Sequence, residues 1–249
     1  MNRWLNKVAV VTGASSGIGV AITKDLLKLN LKVVGLARRQ NLIDDIRNEI
    51  STDEAERLHS LKCDVSNDLE VQKCFDWIKG NLNGPDILIN NAGVLKHGNL
   101  INMNYDDIKD TLNINLMGVV NCTRSAFGIM LKKDTNCHII LMNSIAGHRI
   151  PFLGKAMPSV NIYGPAKYAI RAANEIFRQE FNNIGSKVKI TNISPGLVET
   201  PLVPKFILNN SEIPKLKPED VSNAILYALS TPPHVQINEI CLQPVGEIF

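Results

Sequence analysis

Seven short apolar runs punctuate this 249-residue chain: Lys7–Val11, Lys32–Ala37, Leu58–Cys63, Ile87–Ile89, His138–Met142, Val188–Ile193 and Ile237–Leu242. Amphipathic stretches of helical period lie between most of them. Runs such as Val8-Ala-Val-Val11 and Ile87-Leu-Ile89 have no polar alternation, so as strands they must be buried on both faces. Strands of that kind joined by helices form βαβ units with right-handed crossovers, and hence a parallel sheet. The class is therefore α/β, with about seven strands and helices on both faces. A hydrophobic content of 45% supplies a sizeable core. No linker, low-complexity tract or repeat divides the chain, so residues 1–249 read as a single domain.

Charge and cysteine content exclude several classes. Lys plus Arg number 27 against 24 Asp plus Glu, a net charge of +3 without a basic run, which argues against nucleic acid as a partner. The first apolar run is strand-sized, so neither a signal core nor a membrane span is expected. Cys63, Cys74, Cys122, Cys137 and Cys241 are odd in number and never spaced Cys-x-x-Cys. Neither a disulfide framework nor a metal site is expected, and free thiols in a cytoplasmic setting fit best.

Directly after the first run comes Thr12-Gly13-Ala-Ser15-Ser16-Gly17-Ile18-Gly19, followed by a helical pattern through Val20, Leu26 and Leu27. Glycines between a strand and a helix start let backbone N–H groups approach a pyrophosphate, and the helix dipole favours its charge. This makes the sheet a Rossmann-type, doubly wound one. NAD-binding folds usually carry an acidic residue at the end of the second strand. Here Val33-Val-Gly-Leu-Ala37 runs into Arg38-Arg39, two guanidiniums suited to a 2′-phosphate, so NADP(H) is the expected cofactor. The same arginines would also solvate an ordinary helix start. Asp64, followed by Val65, is placed either to meet the adenine or to cap the next turn.

Tyr163 and Lys167 stand four residues apart, and that spacing puts both on one face of a helix. A phenol titrates near 10, so proton exchange near neutral pH requires help from a neighbour such as an adjacent cation. The pair reads as an acid/base device, or as a solvated helix face.

Taken together with Asn90-Asn91-Ala92-Gly93, Asn115 in Asn-Ile-Asn-Leu-Met-Gly, Ser144 and Pro195-Gly196, these motifs run from residue 7 to about 242. In content and order the chain resembles the short-chain dehydrogenase/reductase family. The resemblance implies that Tyr163 exchanges a proton with an alcohol or carbonyl oxygen that Ser144 also hydrogen-bonds. It implies that Lys167 lowers the Tyr163 pKa and holds the nicotinamide ribose. Asn115 would bind a water linking Lys167 to solvent, or else satisfy a local helix distortion. Asn91, Ala92, Gly93, Pro195, Gly196, Val198 and Thr200 would complete the cofactor site, Thr200 at the carboxamide. Pairing through the helices that carry Asn115 and Tyr163 would give a homodimer or homotetramer.

Two departures matter. Gly164-Pro165 follow the tyrosine, and proline is tolerated only in a helix's first turn. The helix is therefore expected to begin close to Tyr163, capped by Asn161 or Ser159. The stretch Pro151–Pro158 is longer than usual for the family and is expected in the substrate wall. Ile150, Phe152, Leu153 and Met157, with Leu202 and Phe206 from a lid at about 196–217, would make that wall apolar. The same side chains would also pack a lid against itself or against a neighbouring subunit. Leu216–Val221, Leu229–Ile237 and Arg3-Trp4 resemble the branch holding insect farnesol dehydrogenases and member eleven of the dehydrogenase/reductase series. That implies a hydrophobic alcohol or carbonyl substrate, of the farnesol/farnesal type first. A ketosteroid or general carbonyl reductase, and a catalytically idle cofactor-binding scaffold, are the alternatives.

Overall fold

The computed structural model describes residues 1–133, 136–151 and 159–247. Seven strands form one sheet: β1 Val8–Thr12, β2 Lys32–Ala37, β3 Leu58–Lys62, β4 Ile87–Asn90, β5 His138–Met142, β6 Lys189–Pro195 and β7 Glu239–Leu242. All neighbours are parallel, in the order β3-β2-β1-β4-β5-β6-β7. Strand order reverses between β1 and β4, and such a switch point leaves a crevice at the carboxyl ends of the strands. Each expected strand is present, with ends shifted by a residue or two. β7 begins at Glu239 rather than Ile237, whose carbonyl accepts a hydrogen bond from Thr191 Oγ1 at 2.6 Å.

The unbroken apolar runs follow from the two-sided sheet. Ala9 and Val11 join Val33, Ile140 and Met142 in a first core, whereas Val8 and Val10 join Val34, Leu36, Ile139 and Leu141 in a second. Successive side chains along a strand point to opposite faces, so a strand covered on both sides has no polar positions to spare. The helices Ile18–Lys28 and Pro218–Ser230 cover the first face through Ile22, Leu26, Ile225 and Leu229. Asp68–Leu82, Gly118–Met130 and Tyr163–Asn183 cover the second through Phe75, Ile78, Cys122, Ala126, Ile170 and Phe181. Each fully buried Leu, Ile or Phe contributes roughly 1.5–3 kcal/mol.

Two further contacts set the frame. Trp4 is buried and donates from Nε1 to the Leu229 carbonyl at 2.8 Å, tying the amino terminus to the last long helix. The helical stretch Tyr105–Lys133 is apolar and long enough by composition to cross a membrane, but Val119, Cys122, Ala126 and Met130 pack its apolar side into the core.

Candidate active site

The turn after β1 is built to exclude side chains. Gly13 and Gly17 have φ of +65° and +55°, in the left-handed region that favours glycine. A β-carbon on Gly13 would lie 2.8 Å from Ala92 Cα, and one on Gly19 would lie 2.2 Å from the Gly13 carbonyl oxygen. The turn is locked to β4 by side chains. Thr12 Oγ1 accepts from the backbone N–H groups of Asn91 and Ala92, both at 2.9 Å. Asn91 Nδ2 donates to the carbonyls of Thr12 and Gly13 at 3.0 and 3.2 Å. The helix Ile18–Lys28 starts at Gly17 with no side-chain cap and no acidic residue in its first turn. Its first N–H groups are thus left for an anion, and its dipole favours one. These features fit a dinucleotide pyrophosphate.

A cleft of about 1080 Å³ opens above this turn. Its walls include Gly13, Ser15, Ser16, Gly17, Ile18, Arg38, Arg39, Asp64, Val65, Asn91, Ala92, Gly93, Ser144, Tyr163, Lys167, Pro195, Gly196, Val198, Thr200 and Leu202, all expected from the sequence. Gly19 lies beneath the cleft rather than on its wall, packed on Gly13. Arg38 and Arg39 are exposed at the end of β2, and among the described residues neither guanidinium has a hydrogen bond or an ion pair. Asp64 lines the cleft and also closes the turn, its Oδ1 accepting from Ser66 N and Oγ at 3.0 and 2.7 Å.

The long helix begins at Tyr163, which puts Pro165 at its third residue, in the first turn where its missing N–H breaks no helical bond. Asn161, at φ +39°, accepts from Tyr163 N through Oδ1 at 3.3 Å and donates from Nδ2 to the Lys96 carbonyl at 2.7 Å. Ser159 Oγ in turn accepts from Asn161 N at 3.2 Å. Both expected capping residues thus shape the entry, although the residue directly before the helix is Ile162. The late start leaves phenol and ammonium on one face, with Lys167 Nζ 5.5 Å from the centre of the Tyr163 ring.

Ser144 ends the loop after β5 and caps the turn Ile145–Gly147, its Oγ accepting from Ala146 N at 3.1 Å. With an acceptor site used there, its single proton is free to go to the Tyr163 oxygen, an interaction that draws the phenol pKa down. Burial acts more strongly the other way, and Tyr163 is pushed up to about 12. The expectation that Lys167 lowers the Tyr163 pKa is not met. Lys167 is itself buried, which brings its pKa down to about 8, and its Nζ donates to the Met142 carbonyl at 2.7 Å rather than to the phenol. The arrangement therefore holds a neutral phenol, poised to donate, beside an amine able to exchange protons close to neutral pH.

Asn115 sits in a distorted stretch of helix. It is buried in a π-helical turn, Asn113–Met117, and its amide pairs with the Val94 backbone, accepting from N and donating to O, both at 2.8 Å. These two bonds pin the chain after Gly93 to the helix and leave one amide N–H and one oxygen lone pair for a further partner. Satisfying a local helix distortion is one of the two roles expected of it.

On the substrate side, Leu202 lines the cleft, but Phe206 and Ile150 do not. Phe206 is 60% exposed, whereas Ile207, next to it on the short helix Lys205–Leu208, is 9% exposed and lines the wall. A helix turns consecutive side chains by about 100°, so only one of two neighbours can face inward. Ile150 is 52% exposed and packs on the helix start, where a β-carbon on Gly164 would meet its Cδ1 at 2.6 Å. Phe152, Leu153 and Met157 lie outside the described residues. The lid is stapled at its base by hydrogen bonds from Leu216 N to Leu197 O and from Glu199 N to Leu216 O, at 2.8 and 2.9 Å.

Of the wall residues that escaped the sequence reading, three bear on the site. Ile213 comes from the far arm of the lid, and Asn143 carries a buried amide without a partner among the described residues. Glu247 arrives from the chain's end, its Oε1 accepting from Leu197 N and its Oε2 from Gln243 Nε2, at 2.8 and 2.7 Å. Only the side chain next to Ser144 had a sequence signal nearby; the other two depend on the path of the chain.

Residues 7–210 match the family described as short chain dehydrogenase. Farnesol dehydrogenase of Aedes aegypti is 42% identical over 250 residues, with the alignment covering all of both chains. Dehydrogenase/reductase SDR family member 11 of Homo sapiens is 36% identical over all of this chain and 98% of its own. Among solved structures, an alcohol dehydrogenase from the archaeon Thermococcus sibiricus complexed with 5-hydroxy-NADP superposes with a TM-score of 0.83 at 25% identity, over 96% of this chain and 97% of that one. A short chain dehydrogenase/reductase from Burkholderia phymatum in complex with NAD gives 0.83 at 26% identity, over 97% and 90%. A full-length match at this level, on a sheet and a cleft of this form, makes the chain a member of the short-chain dehydrogenase family.

Proposed function

We propose that the protein is an NADP(H)-dependent oxidoreductase that interconverts a hydrophobic alcohol and its aldehyde or ketone, with a farnesol-type isoprenoid alcohol as first candidate. The observation that carries the reaction is the Ser144–Tyr163 hydroxyl pair on the cleft wall, with buried Lys167 behind it. When bound, the nicotinamide cofactor supplies or accepts the hydride. Negative charge then grows on the carbonyl oxygen in the reductive direction. Two pre-oriented hydroxyl donors stabilise that charge as it develops, and Tyr163 gives up its proton to complete the alcohol. In the oxidative direction the same phenol oxygen takes the proton back. Lys167, with its pKa near 8, supports the exchange from within the protein. The glycine turn and the start of the helix Ile18–Lys28 hold the pyrophosphate.

Cofactor choice rests on Arg38 and Arg39, which stand at the rim without acidic partners where an NAD site would carry a carboxylate. Substrate class rests on the apolar wall of Leu95, Leu202, Ile207 and Ile213, and the 42% likeness to the mosquito farnesol dehydrogenase supports the isoprenoid reading. We assign the protein to the cytoplasm as a homodimer or homotetramer on the family's habit.

The test is NADP⁺ reduction with farnesol and NADPH oxidation with a panel of apolar aldehydes and ketones, including ketosteroids. Tyr163→Phe is expected to lower turnover by about 10²–10⁴-fold while NADPH binding persists. Tight NADPH binding without turnover on any member would refute the enzyme. Arg38→Asp is expected to shift preference toward NADH by roughly 10–100-fold, the equivalent of one charge-assisted hydrogen bond. An unchanged preference would show that Arg38 does not read the phosphate.

A further inference from the structure

Away from the cleft, at the edge strand of the sheet, three metal-binding side chains distant in sequence converge. His148 follows the turn that Ser144 caps, and Glu239 and Cys241 lie two residues apart on β7, on the same side of the strand. Their ligand atoms all lie within 4.8 Å of one another. His148 Nε2 is 2.7 Å from Glu239 Oε1 and 3.6 Å from Cys241 Sγ. The same Nε2 lies 3.1 Å from Ser194 Oγ.

The convergence on a single ring nitrogen separates two chemistries. A catalytic relay needs the thiol at one imidazole nitrogen and the carboxylate at the other. Here thiol and carboxylate both face Nε2, so a relay through the ring is not available. Three ligand atoms gathered within 4.8 Å of one another instead have the spacing of a chelate. The ligand set is one imidazole, one thiol and one carboxylate, a mixture suited to Zn²⁺ and its borderline neighbours rather than to Ca²⁺ or Mg²⁺, which favour all-oxygen shells.

The surroundings are ordered as a metal's outer shell would be. Glu239 Oε1 also accepts from Asn192 Nδ2 and Ser194 Oγ, at 2.6 and 2.8 Å, which fixes the carboxylate on the sheet. Tyr168 Oη donates to the His148 carbonyl at 2.6 Å, which fixes the residue carrying the imidazole. The fourth side is open to solvent, since Cys241 is exposed.

We propose that His148, Glu239 and Cys241 form a binding site for a Zn²⁺-class ion, with water in the fourth position. Binding releases the Cys241 thiol proton to solvent; the His148 proton that Nε2 donates to Glu239 moves to Nδ1 through solvent, which frees the Nε2 lone pair, and no oxidant or reductant is involved. Occupation requires His148 and Glu239 to part slightly, since 2.7 Å suits a hydrogen bond and two ligands of a tetrahedral Zn²⁺ stand further apart.

The probe is Co²⁺, which reports a bound thiolate by a charge-transfer absorption in the near ultraviolet. The protein is freed of metal with a chelator and titrated with Co²⁺, then with Zn²⁺ in competition. The other four cysteines are buried, so a thiolate signal is attributable to Cys241. A saturable band at one equivalent, displaced by Zn²⁺ and lost in Cys241→Ser, is the expected result. His148→Ala is expected to weaken Co²⁺ binding by more than the roughly 10–100-fold that loss of an outer-shell contact costs. An unchanged melting temperature for Cys241→Ser, an exposed position, shows that its loss of signal is not unfolding. No band in the wild type, or a band that survives Cys241→Ser, would overturn the proposal.

Discussion

Replacing Lys167 with Met is the sharpest probe of the buried amine. Burial lowers the Lys167 pKa from 10.5 to about 8 in the folded protein, whereas the unfolded chain keeps the ordinary value. A depressed folded pKa means that the associated stability is fully present above the unfolded value and is lost as pH falls through the folded one. The window thus runs from about 10.5 down to about 8. At pH 7 the group is charged in both states, and the folded state bears nearly the whole penalty, about 3 kcal/mol at 1.36 kcal/mol per pKa unit. At about pH 9.5 the folded amine is neutral and the unfolded one is mostly charged, so roughly 2 kcal/mol of that penalty has gone. Urea unfolding of the cofactor-free wild type should therefore show about 2 kcal/mol more stability at pH 9.5 than Lys167→Met does, relative to each protein's own value at pH 7. Loss of the Nζ bond to Met142 shifts the variant equally at both pH values and drops out of the comparison. Lys189, also lowered to about 8 by burial, is common to both proteins and drops out as well. If the two proteins change in parallel, within about 0.5 kcal/mol, then Lys167 is not desolvated in the folded state and the reasoning behind its proton exchange fails.

Gly19→Ala should weaken NADPH binding by about tenfold or more, since its β-carbon would lie 2.2 Å from the Gly13 carbonyl oxygen and overpacking of this kind costs about 1–3 kcal/mol; wild-type affinity by fluorescence titration would contradict it. Ile207→Ala should raise KM for an apolar alcohol while Phe206→Ala leaves it unchanged, because the first side chain lines the cleft and the second faces solvent; steady-state kinetics with the reverse ranking would refute that orientation. Trp4→Phe, which loses the 2.8 Å bond to Leu229 while Arg3 Nη2 still donates to that carbonyl at 2.7 Å, should reduce stability by roughly 0.5–1.5 kcal/mol in urea.

The sheet and the cofactor turn were legible because they depend on local rules. An apolar run covered on both faces has few alternatives, and a glycine turn between strand and helix announces itself through residues that admit no β-carbon. The late start of the helix at Tyr163 was legible for the same reason, since Pro165 tolerates only a first-turn position. Other features were not local. Phe206 and Ile207 are neighbours of similar character, and only the packing of the lid decided which one faces inward. Asn115 was named from its surroundings in the chain, yet the backbone it holds is that of Val94, 21 residues away. The sign of the Tyr163 shift also lay beyond the spacing of Tyr163 and Lys167. Spacing says that a cation is near, while desolvation of both groups depends on what the rest of the fold stacks around them.

By itself the sequence determined the strands, the glycine turn and the composition of the reactive face, because those follow from burial, backbone conformation and helical period within a few residues. Tertiary structure alone decided how Glu247 reaches the loop after Gly196, how His148 meets Glu239 and Cys241 across more than 90 residues, and which way buried groups titrate. Those outcomes are set by distance and dielectric in three dimensions, which the chain acquires only when the sheet closes around them.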